Sequence, residues 1–183
     1  LLVTHEKMDG DGLGSGIALY LALSKLKKNV DFISLDEVPQ ALSFLPKTEV
    51  LSKEIPIGND FVITLNCTQA EVDKIKYNKI GNKLNILVSP KRGIFTKEDV
   101  EFKRGQSKYD LIISLDAGDI NQLGSLYKSN VDLFYSTVLL NIDHHISNDY
   151  FGKINLVDPL ATSTAEIVLS LLDGLQSSVG KDV

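Results

Sequence analysis

The chain opens on Leu1-Leu-Val-Thr-His5-Glu-Lys-Met-Asp9-Gly-Asp11-Gly-Leu-Gly14-Ser15, and this stretch decides the fold that the rest of the chain must adopt. Its first four residues form a short apolar run of the kind that is typical of a buried strand. A helical pattern of apolar residues follows over residues 12–28. A buried strand that leads directly into a helix is the repeating unit of a parallel α/β sheet.

The strand-like pattern recurs four more times, over residues 30–35, 61–65, 110–115 and 138–142. These runs are short and rich in β-branched residues, which favours buried strands over helices. Further helices are predicted over residues 121–128 and after the capping-box sequence Ser163-Thr-Ala-Glu166. We therefore expect an α/β fold with a mostly parallel sheet and helices on both faces.

One stretch interrupts this alternation. Residues 74–80 and 84–90 flank Gly81-Asn82, which predicts a β-hairpin inserted at an edge of the sheet. Residues 74–108 carry ten Lys and Arg and three acidic residues, or +7, whereas the remainder of the chain sums to −12. Two interpretations stay open at this point: a solvated face, or a positive flank that holds a phosphate-bearing ligand near an acidic site.

Length and composition set the remaining bounds. A chain of 183 residues with 43% hydrophobic and 23% charged residues predicts one packed domain, and its net charge of −5 argues against a general polyanion binder. Cys67 is the sole cysteine, which excludes a disulfide partner and a Cys-rich zinc module and predicts a cytoplasmic location. Because no apolar run approaches about 18 residues, we predict no membrane association. Since the sequence begins with Leu1 and not with an initiator Met, we expect it to be part of a longer protein.

Three of the predicted strands are followed by side chains that bind metal ions. In an open α/β sheet, ligands bind beyond the carboxyl ends of the strands, so side chains that follow parallel neighbours meet there. We therefore expect seven side chains to gather at one edge of the sheet: His5, Asp9, Asp11, Asp116, Asp143, His144 and His145.

Four carboxylates at one edge repel one another unless cations lie between them. Oxygen and imidazole donors without a thiolate favour Mn²⁺ or Mg²⁺, with Fe²⁺ or Co²⁺ as alternatives, over structural zinc. Two such ions about 3.5–4 Å apart polarise a phosphoryl group and activate water. Simpler readings of the single pieces stay open: a turn at Asp9-Gly-Asp11, a helix cap at Asp116, and close helix packing by the glycines before and after Ser15.

The spacing His5-x3-Asp9-x-Asp11-x2-Gly14-Ser15, followed by Asp116 and then by Asp143-His144-His145, resembles the DHH phosphoesterase superfamily. That superfamily includes RecJ-type exonucleases, nanoRNA and pAp phosphatases, and family II inorganic pyrophosphatases. The run from Asp158-Pro159 to Glu166 is similar to the segment after the DHH triplet in the nanoRNase and pAp phosphatase branch. The resemblance covers residues 1–172 and implies a single DHH-type catalytic domain over residues 1–183.

The resemblance also implies roles for these side chains. Two divalent ions would be bound by five ligands, with His5 and Asp9 on one ion, Asp11 and His144 on the other, and Asp116 as the bridge. The implied catalytic pair is His145, which contacts the scissile phosphate, and Asp143, which orients the imidazoles. Gly14 and Ser15 are predicted to contact substrate for a separate reason, since small residues at the start of the first helix let backbone N–H groups approach a phosphate, and His145 completes the predicted substrate contacts.

The function implied by the resemblance is metal-dependent hydrolysis of short nucleotides such as nanoRNA, pAp or dinucleotides, with a homodimer as one assembly. Two alternatives stay open: a pyrophosphatase or polyphosphatase of the same superfamily, and a module that binds nucleotide or metal without turnover. Family members also carry a fourth Asp motif and a C-terminal substrate-binding domain, and this sequence ends at Val183 before either. The stretch between Asp11 and Asp116 is longer than in compact members.

Overall fold

The computed structural model describes residues 1–106 and 109–175. Internal contacts divide the chain into two compact units. The larger unit joins Leu1–Pro56 to Lys108–Val183, and the smaller unit is Ile57–Ser107.

Ten strands and four α-helices make up the described parts of the chain. The strands are β1 (Leu2–Thr4), β2 (Phe32–Ile33), β3 (Leu51–Ser52), β4 (Ile57–Leu65), β5 (Glu71–Ile80), β6 (Lys83–Arg92), β7 (Val100–Gln106), β8 (Leu111–Leu115), β9 (Val138–Asp143) and β10 (Ile154–Val157). The helices are α1 (Gly10–Lys25), α2 (Gly124–Lys128), α3 (Val131–Ser136) and α4 (Thr164–Gly174). Short 3₁₀ turns lie at Gln40–Leu42, Thr48–Val50, Lys97–Asp99 and Ile120–Leu123. None of these described helices combines the length and the hydrophobicity that crossing a bilayer demands.

The larger unit is built on a six-stranded sheet in the order β10-β9-β8-β1-β2-β3, and every neighbouring pair is parallel. Successive side chains of a strand point to opposite faces. On β1, Leu2 packs into the cluster that includes α1 and α4, and Val3 packs into the cluster that includes α2 and α3. The predicted α/β sheet with helices on both faces is therefore confirmed.

The strand order reverses direction at β1. The chain proceeds from β1 to β2 and β3 on one side, and it later resumes at β8 on the other side of β1. Such a reversal opens a crevice at the carboxyl ends of the two strands, which is where open α/β sheets bind ligands. The topology thus places the residues that follow β1 and β8 at the rim of a binding crevice.

Both long helices begin at side-chain caps. Asp9 caps α1, because its Oδ1 accepts hydrogen bonds from the backbone N–H groups of Asp11 and Gly12. Ser163 caps α4 as predicted, with its Oγ accepting from the Glu166 N–H at 3.2 Å. The Glu166 carboxylate accepts from Thr162 instead of returning to Ser163, so the predicted capping box is formed in part.

The smaller unit contains two separate antiparallel ribbons, β4 with β7 and β5 with β6. The second ribbon confirms the predicted hairpin: Ile80 pairs with Lys83 across Gly81-Asn82, and Gly81 adopts a φ of +58°. The described strands of this ribbon pair with each other, so the hairpin adds no strand to the parallel sheet.

The prediction of a buried strand over residues 61–65 was wrong. These residues lie in β4, where Phe61 is 66% exposed and Val62 is 42% exposed. The run resembles the true core strands because hydrophobicity alone does not distinguish a strand covered on both faces from one in a two-stranded ribbon. The prediction also did not include β10 or α3, which are short and carry polar residues between their apolar positions.

Close packing of α1 on β2 gives a test of the fold. A Cβ at Gly16 would lie 2.1–2.7 Å from ring atoms of the fully buried Phe32, whereas a Cβ at Gly14 would meet no atom within 4 Å. We expect Gly16→Ala to lower the free energy of unfolding by about 1–3 kcal/mol through overpacking. Gly14→Ala, the matched control in the same helix, should raise it by up to about 1 kcal/mol through helix propensity. Chemical denaturation measures both, and equal effects of the two variants would contradict this packing.

Candidate metal centre

The residues that follow β1, β8 and β9 converge on the crevice between β1 and β8. His5 follows β1, Asp116 follows β8, and His144 with His145 follows β9. An open cleft of about 460 Å³ lies here, and it is lined by His5, Glu6, Lys7, Asp9, Asp116, Gln122 and His145. The structure therefore brings together side chains that are more than a hundred residues apart in sequence.

Asp116 lies at the middle of this group, and each of its carboxylate oxygens faces a different imidazole. Its Oδ2 is 3.6 Å from Nε2 of His5, and its Oδ1 is 3.8 Å from Nε2 of His144. The residue is 3% exposed and has a φ of +58°, a conformation that non-glycine residues adopt at a cost of about 1–3 kcal/mol. Backbone strain of this kind is concentrated at functional sites, where the surrounding structure maintains it.

The separations between the donor atoms fit shared cations. Asp116 and Asp9 oxygens lie 3.6 and 3.8 Å from Nε2 of His5, which is too long for a direct hydrogen bond. Two ligands that are each about 2.1 Å from one ion lie at most about 4.2 Å apart, so these distances suit a common ion. On the other side, Oδ2 of Asp11 is 3.7 Å from Nε2 of His144. The donors therefore form two groups that share Asp116.

Neighbouring carbonyl groups fix the orientation of the first two imidazoles. Nδ1 of His5 lies 2.8 Å from the Glu6 carbonyl oxygen, and Nδ1 of His144 lies 3.4 Å from the Ala161 carbonyl oxygen. A proton on Nδ1 satisfies the carbonyl and leaves the lone pair of Nε2 facing the carboxylates. This is the tautomer that a metal ligand requires.

His145 is held differently from the other two histidines. Its Nδ1 lies 2.7 Å from Oδ1 of the fully buried Asp143, whose Oδ2 accepts a hydrogen bond from Asn148 at 2.6 Å. Nδ1 of His145 is also 3.8 Å from Asp116, but its proton is donated to Asp143, so this atom is unsuited to binding a metal. Nε2 is the remaining polar atom of a half-exposed ring that lines the cleft.

Asp11 connects the two ends of the larger unit. Its two carboxylate oxygens accept hydrogen bonds from the backbone N–H groups of Thr164 and Ala165, at 2.7 and 2.8 Å, at the start of α4. The Thr164 hydroxyl in turn donates to Oδ1 of Asp116 at 2.9 Å. One helix N-terminus thus fixes two of the predicted ligands.

The predicted substrate contacts lie on α1. Ser15 is fully buried, and its hydroxyl is 3.4 Å from Oδ1 of Asp11, so the structure places it behind this carboxylate. Gly14 is partly buried and leaves open space where a side chain would be.

Three residues that position the site were not identified from the sequence. Thr164 was interpreted as part of a helix cap, Asn148 has no local pattern that links it to Asp143, and Glu6 was left without a role. The Glu6 carboxylate accepts hydrogen bonds from the backbone N–H and the hydroxyl of Ser125, which fixes the loop that carries the carbonyl bonded to His5. Of these three residues, only Thr164 lies in a recognisable sequence pattern, because it directly follows the capping residue Ser163.

Charges in the site shift several pKa values. The Asp116 carboxylate, with smaller effects from the Glu6 carbonyl and Asp9, raises the pKa of His5 to about 9 against the opposing effect of burial. Burial acts to raise the pKa of Asp116, but its interactions with His5 and Thr164 outweigh burial and hold that pKa below its ordinary value. Asp143 raises the pKa of His145. Without metal, His5 therefore retains its proton at neutral pH.

The pKa of His5 can be tested directly by NMR, because the protein has three histidines. In EDTA, we expect the His5 ring signal to titrate near pH 9, and Asp116→Asn should lower this midpoint toward 6.5. A raised pKa means that the folded state binds the proton more tightly than the unfolded state. This contribution to stability is therefore complete below pH 6.5 and is lost as the pH rises through about 9. A His5 midpoint near 6.5 in the unmutated protein would refute the proximity of Asp116.

The chain is similar to known proteins in its sequence and in its fold. The chain is 25% identical over 172 residues to the bifunctional oligoribonuclease and PAP phosphatase NrnA of Thermus thermophilus, which covers 94% of this chain and 36% of NrnA. A crystal structure of an exopolyphosphatase-related protein from Bacteroides fragilis superposes with a TM-score of 0.58 at 19% identity, over 100% of this chain and 40% of that chain. The second likeness establishes the fold alone. The chain thus spans less than half the length of either protein.

A family model agrees with both comparisons. The model for the DHH family, N-terminal domain, matches residues 1–182, nearly the whole sequence. The chain therefore belongs to the DHH family and corresponds to its N-terminal domain.

Proposed function

We propose that this protein is a metal-dependent phosphoesterase that hydrolyses short nucleotides, such as nanoRNA, pAp or dinucleotides, at the cleft between β1 and β8. The observation that carries the proposal is the buried Asp116 carboxylate, whose two oxygens face two separate imidazoles. The similarity to NrnA, an oligoribonuclease and PAP phosphatase by name, supports a nucleotide substrate.

The donors present fit two divalent cations. His5 and Asp9 would hold one, Asp11 and His144 the other, and Asp116 would bridge them, in agreement with the N···O distances of 3.6–3.8 Å. Oxygen and imidazole donors suit Mn²⁺ best, with Mg²⁺, Fe²⁺ or Co²⁺ as alternatives. Such ions supply Lewis-acid polarisation of the phosphoryl group and lower the pKa of bound water.

His145 and Asp143 would act on the substrate side of the site. The Asp143 carboxylate fixes Nδ1 of His145 and raises the pKa of this ring, which favours the form that carries a proton on Nε2 as well. That N–H is able to donate a hydrogen bond to a phosphate oxygen and to stabilise the negative charge that develops on it. Asn148 holds the second oxygen of Asp143 and so keeps the carboxylate in place.

Pyrophosphate or polyphosphate hydrolysis is the second candidate. The seven residues that line the cleft include no Phe, Tyr or Trp, and their aromatic rings are the imidazoles of His5 and His145, which are proposed to bind metal and phosphate, although a nucleotide base is commonly recognised by stacking on a ring. A substrate that consists of phosphates alone needs no such ring. The structural neighbour with an exopolyphosphatase-related description has the same fold, but at 19% identity it adds no information on substrate.

The organisation of the chain stays a proposal as well. We propose that residues 1–183 form one DHH-type catalytic domain in which Ile57–Ser107 is an insertion. A homodimer and a cytoplasmic location, the latter based on the single Cys67, remain predictions.

Metal binding should stabilise the folded protein, because cations relieve carboxylate repulsion that the unfolded chain does not have. We expect Mn²⁺ at 100 times its Kd to add about 2.7 kcal/mol to the free energy of unfolding, and EDTA to reverse this. Asp116→Asn keeps the shape of the side chain and should abolish most of the effect. Asp132→Asn, an exposed carboxylate of α3, is the matched control and should retain it. Thermal unfolding and metal analysis measure the outcome, and full metal loading of the Asp116 variant would exclude the bridge.

The activity is tested with Mn²⁺ on a 5′-phosphorylated RNA dinucleotide, pAp, pyrophosphate and polyphosphate. We expect hydrolysis of the nucleotides, and a decrease in kcat of about 100-fold or more in His145→Gln, as is typical for removal of a proton donor. Metal loading of this variant should be unchanged, because Nδ1 of His145 is bonded to Asp143. Hydrolysis of pyrophosphate or polyphosphate alone would favour the second candidate. No turnover by a fully metal-loaded protein would favour a module that only binds.

A further inference from the structure

We propose that the β5–β6 hairpin binds single-stranded RNA through one of its two faces. This surface belongs to the smaller unit and contains none of the metal-site residues. The choice of RNA over other single-stranded polyanions rests on the proposed function. The existence of a binding face rests on the hairpin itself.

The register of the hairpin sorts its side chains into two faces. Residues that pair directly across an antiparallel ribbon lie on the same face, and the face alternates with each residue. Lys74 pairs with Ser89, Lys76 with Leu87, Asn78 with Asn85, and Ile80 with Lys83. This set is called the lysine face. The opposite face is mainly apolar and contains Ile75, Tyr77, Lys79, Leu84, Ile86 and Val88.

The hairpin carries an excess of positive charge that would match a polyanion. The stretch Glu71–Arg92 includes six Lys and Arg and two acidic residues, and one of these, Glu71, lies 3.1 Å from Lys91. Lys76 and Lys83 are exposed, and neither has an ion pair among the described residues, whereas Lys74 lies 3.8 Å from Asp73. Ammonium groups without acidic partners bind phosphates with release of the counterions that surround a nucleic acid.

The centre of the lysine face distinguishes a nucleic acid from other polyanions. Asn78 and Asn85 pair there, both exposed and without a side-chain hydrogen bond in the described part of the chain. An amide presents a donor and an acceptor together, which matches the edge of a base, whereas the phosphate oxygens of a lipid headgroup or a polyphosphate would use its donor alone. Base edges are most accessible in a single strand, where they are unpaired. The combination of lysines around amides therefore favours a single-stranded nucleic acid, and the proposed function makes RNA the choice.

The test measures binding of a fluorescent single-stranded RNA 12-mer to the whole protein by anisotropy at several salt concentrations, in EDTA so that no metal-dependent hydrolysis occurs. The paired substitution Lys76→Gln with Lys83→Gln removes two charges from the lysine face. Because each phosphate contact contributes about 0.7 to the salt dependence for single strands, we expect the slope of log K against log salt to fall by about 1.4. The affinity at low salt should decrease on the order of 10-fold.

The matched control removes the same total charge elsewhere. It combines Lys79→Gln, on the apolar face of the same hairpin, with Lys28→Gln, an exposed lysine after α1. We expect this control to keep the salt slope of the unmutated protein. Circular dichroism melting of both variants checks that the fold is retained.

Three results would overturn the proposal. These are no RNA binding by the unmutated protein, equal loss in the two paired variants, or tighter binding to a duplex of the same sequence. Binding to vesicles of phosphatidylglycerol through Lys76 and Lys83, without RNA binding, would assign the face to a membrane instead. Since the assay contains EDTA, a protein that binds RNA but hydrolyses no nucleotide would refute the proposed function and leave this inference in place.

Discussion

The burial of one carboxylate between two imidazoles is the constraint on which the rest of this structure depends. Asp116 is nearly inaccessible to water, and its charge needs compensation from positive neighbours. Those neighbours follow β1 and β9, so the order β9-β8-β1 in the sheet is what allows both to reach it. In the absence of a metal ion, the raised pKa of His5 means that a proton supplies part of this compensation. Metal and proton thus compete for the same lone pair, which links metal affinity to pH.

Much of the fold could be predicted because its signals are local. The strand β1, the helix α1 and the hairpin turn at Gly81-Asn82 each follow from hydrophobic spacing or from turn chemistry within about ten residues. The wrong predictions concern segments whose burial depends on which other strands or helices pack against them. An apolar run such as residues 61–65 is compatible with a core strand and with an exposed ribbon, and only the pairing partner distinguishes the two. The short β10 pairs with β9 through backbone bonds that leave no clear trace in its four residues.

The candidate metal centre likewise has features that local sequence predicts and features that depend on tertiary packing. The gathering of His5, Asp116 and His144 could be expected, since the carboxyl ends of neighbouring parallel strands must meet. The supporting contacts could not be predicted, because they depend on how distant segments pack. The capping sequence at Ser163 predicts where α4 begins but not that the Thr164 hydroxyl meets Asp116, and nothing near Asn148 indicates that it holds Asp143. The sequence pattern therefore identifies the donors, and the three-dimensional structure identifies what orients them.

The bond between Asp11 and the start of α4 has a consequence for how the protein assembles. It joins positions 153 residues apart, near the two ends of the described chain. Closing a loop of this length costs chain entropy before the contact contributes any stabilisation. A nascent polypeptide that still lacks α4 would present Asp11 and Asp116 without their backbone and hydroxyl donors. Synthesis of the chain through α4 is thus required before Asp11 and Asp116 can take up the positions that the structure shows.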